Sequence, residues 1–128
     1  MYNFTLNNVL LTFAGKPISF FTSGMTTFTG GSNTFTLPAG CSTLEYLIVA
    51  GGGGGGYGRS PYNGTYSHGG GGGAGGYLTG TINNPTAGNY TCIVGAGGAS
   101  DTSGKTSSIA GSSLNITAHG GGKGGYAN

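Results

Sequence analysis

Short blocks of alternating apolar and polar residues, parted by glycine, asparagine and proline, run along this chain. Alternation at every second residue predicts strands half buried in a sheet. Residues 4–6 and 9–13 read as a short first hairpin, with 18–21 as its continuation. Two Thr/Phe blocks follow, 26–29 and 34–37, split by Gly30-Gly31-Ser32-Asn33 as a turn. A second turn, Leu37-Pro38-Ala39-Gly40, leads to residues 43–50. There Leu44, Tyr46 and Ile48 alternate while Leu47 and Val49 fill the other face, which predicts an interior strand. Further strands are expected at 77–82, 89–94, 105–109 and 113–119. No stretch keeps a period of 3.6 residues, so helices are not expected. The fold class that follows is all-β, a small antiparallel β-sandwich with glycine-rich loops.

Glycine interrupts this pattern in runs. It supplies 32 of the 128 residues, against a usual share of about 7%. One run is Gly51, Gly52, Gly53, Gly54, Gly55 and Gly56; a second is Gly69, Gly70, Gly71, Gly72 and Gly73, continued by Gly75 and Gly76. The third begins Gly120, Gly121, Gly122 and ends at Gly125. Each glycine costs roughly 0.5–1 kcal/mol of backbone entropy relative to alanine, so ordered runs need a compensating contact. Polyproline II segments without Cβ atoms pack side by side and supply one. Each run adjoins a strand, so such segments are expected to gather at one end of the sandwich. The competing expectation is that the runs are plain flexible loops.

Charge is scarce. Lys16, Arg59, Lys105, Lys123, Glu45 and Asp101 are the only charged side chains, for a net charge of +2. That is too thin for a nucleic-acid surface. Two carboxylates offer little for acid–base catalysis or a hard-metal cage, so an enzyme is not expected. Cys41 and Cys92 form no disulfide framework and read as buried free thiols, a pairing between them staying open. Neither the cysteines nor His68 and His119 have zinc-site spacing, and no metal or cofactor is expected. The Met1–Thr5 start lacks the basic and apolar regions of a secretory signal, so synthesis in a reducing cytosol is expected. No apolar stretch reaches the length of a membrane span, and no membrane insertion is expected. The Asn-x-Ser/Thr sites at Asn3, Asn63, Asn89 and Asn115 then carry little meaning.

Two motifs invite chemistry. Residues 99–106 fit a relaxed phosphate loop, but that device needs a helix behind its lysine, and Thr106-Ser107-Ser108-Ile109-Ala110-Gly111 is a poor helix. The second lies between the first two glycine runs, where Tyr57, Arg59, Tyr62, Asn63, Tyr66 and His68, with Tyr77 beyond, form a polar-aromatic loop. Aromatic rings beside amides suit stacking on sugars or gripping a protein partner. The same tyrosines also suit packing over bare glycine backbone.

The order of these pieces resembles the glycine-rich domain of bacteriophage tail-fibre and other virion surface proteins, and of some bacterial surface proteins. The resemblance rests on Phe35-Thr36-Leu37-Pro38-Ala39-Gly40, Tyr46-Leu47-Ile48-Val49-Ala50-Gly51-Gly52-Gly53 and Gly75-Gly76-Tyr77-Leu78. It continues through Tyr90-Thr91-Cys92-Ile93-Val94-Gly95-Ala96-Gly97-Gly98, Gly104-Lys105-Thr106-Ser107-Ser108 and Thr117-Ala118-His119-Gly120-Gly121-Gly122. Cys41 and Cys92 depart from it, standing where small apolar residues are usual. The resemblance divides the chain into residues 1–27, an anchoring and assembly segment, and 28–128, the glycine-rich sandwich. It implies a non-enzymatic protein on the virion surface, as tail fibre, fibre tip or capsid decoration, serving assembly and host attachment. Its partners would be other virion proteins through residues 1–27, and a host surface glycan or protein. The neutral, threonine-rich strands invite edge pairing and so a homo-oligomer, with a trimer suggested by analogy with fibres. The alternative is a cellular product: a surface adhesin, an extracellular filament subunit, or an ice-binding protein with a flat Thr/Gly face, which calls for regularly spaced threonines where those of this chain are irregularly spaced.

Overall fold

Residues 2–6, 24–58, 68–112 and 114–126 are described by the structure, a computed structural model. They form eight strands: β1 (Tyr2–Leu6), β2 (Met25–Phe28), β3 (Gly31–Leu37), β4 (Thr43–Val49), β5 (Tyr77–Asn83), β6 (Gly88–Val94), β7 (Ser107–Gly111) and β8 (Leu114–Ala118). Two four-stranded antiparallel sheets result, in the orders β2-β1-β4-β5 and β3-β6-β7-β8. The molecule is a small all-β sandwich, as the alternation predicts.

Alternation also decides which residues meet between the sheets. Leu44 and Ile48 of β4 face inward with Ala50, against Phe35 and Leu37 of β3, Tyr90 and Cys92 of β6, Ile109 of β7 and Ala118 of β8. Tyr46, Ile82, Val94, Leu114 and Ile116 are half-buried around that core. Tyr90 is 2% exposed yet keeps its polar end satisfied, because its hydroxyl donates to the Thr86 carbonyl at 2.5 Å. That bond ties the β5–β6 turn to the core. The inner strand predicted at 43–50 is β4, and it is interior as expected, with β1 on one side and β5 on the other.

Several boundaries differ from the sequence reading. The Gly30–Asn33 turn is shorter: the chain turns at Thr29-Gly30, and Gly31, at φ 72°, already begins β3. The Thr/Phe blocks β2 and β3 therefore lie in different sheets, and β2 pairs with β1. β1 itself occupies an inner place in its sheet, so residues 2–6 are part of the sandwich. The expected strands at 9–13 and 18–21 lie outside the described residues. β7 begins at Ser107 and not at 105, because the Lys105 amide and carbonyl are engaged with Ala96 and Gly51. β8 ends at Ala118, since the His119 carbonyl accepts from Gly76.

One end of the sandwich gathers the C-terminal ends of β4, β6 and β8 and the N-terminal ends of β5 and β7. Every glycine-rich segment starts or finishes there.

Candidate functional site at the tip of a glycine bundle

Four glycine-rich segments leave that end together: 50–58, 68–76, 95–106 and 119–126. Their hydrogen bonds recur at every third residue. Ala50, Gly53 and Gly56 donate to the carbonyls of Gly76, Gly73 and Gly70, each at 2.8 Å. Gly51 and Gly54 donate to Lys105 and Thr102, while the Gly52 and Gly55 carbonyls accept from Gly98 and Asp101. The carbonyls of Gly51 and Gly54 accept from Gly121 and Gly124. Gly70, Gly73 and Gly76 in turn donate to Gly125, Gly122 and His119. A strand repeats every two residues; a repeat of three belongs to polyproline II geometry. The runs are therefore ordered, and segment 50–58 sits in the middle, bonded to the other three.

Close approach explains the composition. A Cβ on Gly54 would land on the Ala99 carbonyl, and one on Gly53 would land on the Gly122 carbonyl. By contrast, a Cβ on Gly71, Gly122 or Gly125 would meet nothing within 4 Å. Glycine is thus required on the faces turned toward neighbours and is free to vary on the faces turned outward.

Three glycine runs stand out in the sequence, and segment 95–106 has no run longer than Gly97-Gly98. It is the bundle's remaining member, folded on itself through Lys105 to Ala96 and Thr102 to Ala99 hydrogen bonds. The signal was present, since Gly95, Gly98 and Gly104 fall on a three-residue spacing with Asp101 at the place between Gly98 and Gly104. Asp101 adopts φ 60° there, at the turn.

The bundle's far end brings distant residues together. Gly56 bonds to Gly70, so Tyr57 and His68, the two ends of the polar-aromatic loop, emerge beside each other, both exposed. Arg59, Tyr62, Asn63 and Tyr66 lie outside the described residues. Asp101 and the Ser100 hydroxyl reach the Gly55 carbonyl, which puts the 100–101 turn at the same tip. Gly70 bonds to Gly125, which adds the 123–126 segment.

A family model described as a glycine-rich domain matches residues 26–128. The chain belongs to the glycine-rich domain family. No curated protein and no solved structure matches this glycine-rich domain.

Sequence reasoning missed a cluster at the tip of the domain. Lys123 Nζ lies 3.0 Å from Asp101 Oδ1, and the Tyr126 hydroxyl donates to Asp101 Oδ2. The ammonium also sits 4.8 Å from the centre of the Tyr126 ring, within cation–π range. The Tyr126 hydrogen bond, followed by that of Lys123, holds the Asp101 carboxyl below its ordinary range. The same carboxylate pushes the Lys123 ammonium and the Tyr126 phenol up. Asp101 favours the charged ammonium and the neutral phenol, and both partners favour its carboxylate, so the trio acts as a clasp between the 100–101 turn and the 123–126 segment. Nothing in the sequence spacing of 22 residues between Asp101 and Lys123 announces it.

The cysteines are free thiols in the glycine-rich domain. Cys92 is fully buried, and desolvation pushes its thiol up to about 11. Cys41 is only half-buried, its Sγ 3.2 Å from the Thr43 carbonyl. Around Lys105 the phosphate-loop reading fails on geometry: residues 102–106 run as a bundle segment into a strand, not into a helix.

Proposed function

We propose that this glycine-rich domain is a non-enzymatic structural protein displayed on a phage virion, where it serves assembly and attachment to a host surface. One observation carries the reading. A scaffold held by backbone hydrogen bonds projects Tyr57, His68, the 100–101 turn and Tyr126 at a single tip. Binding residues are commonly placed on loops held by a rigid support, and exposed tyrosines suit recognition of a glycan or protein. Tyr57 and Tyr126 are 60% and 59% exposed, so both rings are open to a partner. The order of motifs that resembles virion surface proteins supports that location. Contacts with other virion proteins are proposed for residues 1–27, of which Tyr2–Leu6 also form β1 of the sandwich. The scarcity of carboxylates supports a role without catalysis.

The test is binding of the purified, fluorescently labelled protein to a panel of intact bacterial cells. Saturable binding to a subset of strains, lost in a Tyr57→Ala/Tyr126→Ala variant that keeps its fold, is expected. Absence of binding across hosts, or binding indifferent to the tip substitutions, would overturn the attachment reading.

A further inference from the structure

β5 is an edge strand: β4 pairs with one of its sides, and among the described residues nothing pairs with the other. Natural edges are usually blunted by lysine, proline, a bulge or shortness. β5 has none of these, being seven residues, Tyr77-Leu78-Thr79-Gly80-Thr81-Ile82-Asn83, in unbroken register with β4 and without charge. It is also nearly symmetric about its centre. Gly80 is flanked by Thr79 and Thr81, and these by Leu78 and Ile82.

The apolar residues at this side of the sandwich are left partly uncovered. Leu78 belongs to the inward row and lies opposite Ile48, which is 0% exposed, yet Leu78 itself is 38% exposed. Ile82 and Leu114 line a cavity of about 230 Å³ with Pro85 and Tyr90. Among the described residues, the edge therefore combines an open row of backbone groups with an inner side chain short of cover.

We propose that the chain forms a two-fold dimer in which β5 pairs antiparallel with β5 of a second copy, Gly80 opposite Gly80. A two-fold contact requires a patch that complements itself, and β5 meets the requirement residue by residue. Leu78 of each copy faces Ile82 of the other on the inner side, and Thr79 faces Thr81 on the outer side. Apolar pairs and threonine pairs are both favourable cross-strand neighbours. Gly80 fits the axis because the Tyr46 ring lies over it, leaving no room for a Cβ. The other long edge does not complement itself. Folding β3 about Thr34 sets Asn33 against Phe35 and Gly31 against Leu37. β2 and β8 are shorter, with four and five residues.

Pairing of this kind joins two four-stranded sheets into one of eight and turns the two glycine tips in opposite directions. It gives an even-numbered assembly in place of the trimer that fibre analogy suggests. The contact is independent of the attachment reading, since a chain that binds no cell still dimerises through β5.

Thr79 and Thr81 are both exposed on the outer face, so charges placed there spare the core. The test compares solution masses by light scattering and sedimentation for the full chain and two variants. The wild type is expected at dimer mass at micromolar concentration. Thr79→Lys/Thr81→Lys sets lysine against lysine twice across the axis and is expected to raise the dissociation constant at least about tenfold. Thr79→Glu/Thr81→Lys sets glutamate against lysine twice, with the new lysine also opposite the chain's own Glu45, and is expected to stay dimeric. Circular dichroism matching the wild type confirms that each variant is folded, and a variant that fails this is replaced by its single-site counterparts. A monomeric or trimeric wild type would overturn the proposal. So would a folded double-lysine variant of unchanged mass, or equal dissociation of the two double variants.

Discussion

The Ser107 hydroxyl donates to the Val49 carbonyl at 2.8 Å and accepts the Gly95 amide at 2.9 Å. Ser107 is wholly buried. Its single oxygen thus ties the last residue of β4, in one sheet, to the residue following β6, in the other. The tie lies where the sandwich becomes the glycine bundle. Replacing Ser107 with alanine leaves two backbone groups short of a partner in a dry place. The expected cost is about 2 kcal/mol, measured as a lower urea midpoint with an unchanged slope.

Glycines of the bundle fall into two classes that one methyl group separates. Gly54→Ala drives a Cβ into the Ala99 carbonyl and is expected to unfold the bundle, seen as loss of amide protection across residues 50–58. Gly122→Ala places the same methyl in open space. It is expected to be neutral or to stabilise by up to about 1 kcal/mol, through the reduced freedom of the unfolded chain. Equal effects from the two substitutions would contradict the packing described above.

The thiols differ in access. Alkylation at pH 8 is expected to label Cys41 first, with Cys92 reacting only as fast as the protein opens. Because folding raises the Cys92 pKa from 9.0 to about 11, the folded state holds its proton more tightly than the unfolded one. This thiol's contribution to stability is complete below pH 9 and is lost as pH rises toward 11. A denaturation series in alkali should show that decline, and Cys92→Ala should remove it.

Acid acts on the tip. Folding depresses the Asp101 carboxyl, so the clasp is intact above the ordinary value of 3.8 and opens as pH falls through the lower one. Amide resonances of Lys123 and Tyr126 are expected to shift together in that range. Asp101→Asn should bring the shifted positions to neutral pH without altering the core resonances. A titration in which those residues stay fixed would contradict the clasp.

The sheets were legible because alternation is a local signal: the inward rows of β4, β6 and β7 can be read from Leu44, Ile48, Tyr90, Cys92 and Ile109 alone. Pairing partners were less so. Nothing local tells Phe28 and Gly31 that the chain changes sheets between them. Gathering of the glycine runs at one end followed from their adjacency to strands. The folded segment 95–106 was hidden, because alanine, serine and threonine on its outward positions mask the three-residue spacing of its glycines. At the tip, the loop bounded by Tyr57 and His68 stood out by composition. Asp101, Lys123 and Tyr126 did not, since a contact between two bundle segments exists only once both are docked.

The glycine bundle is held by amides and close backbone contact, with almost no apolar side chain inside it. Unfolding it exposes mostly polar surface, and polar exposure lowers the heat capacity where apolar exposure raises it. The whole domain should therefore unfold with a heat-capacity change per residue below the usual value of about 12–15 cal/mol/K, a quantity open to calorimetry. A smaller change flattens the stability curve, so cooling weakens this domain less than it weakens one of equal size built on an oily core.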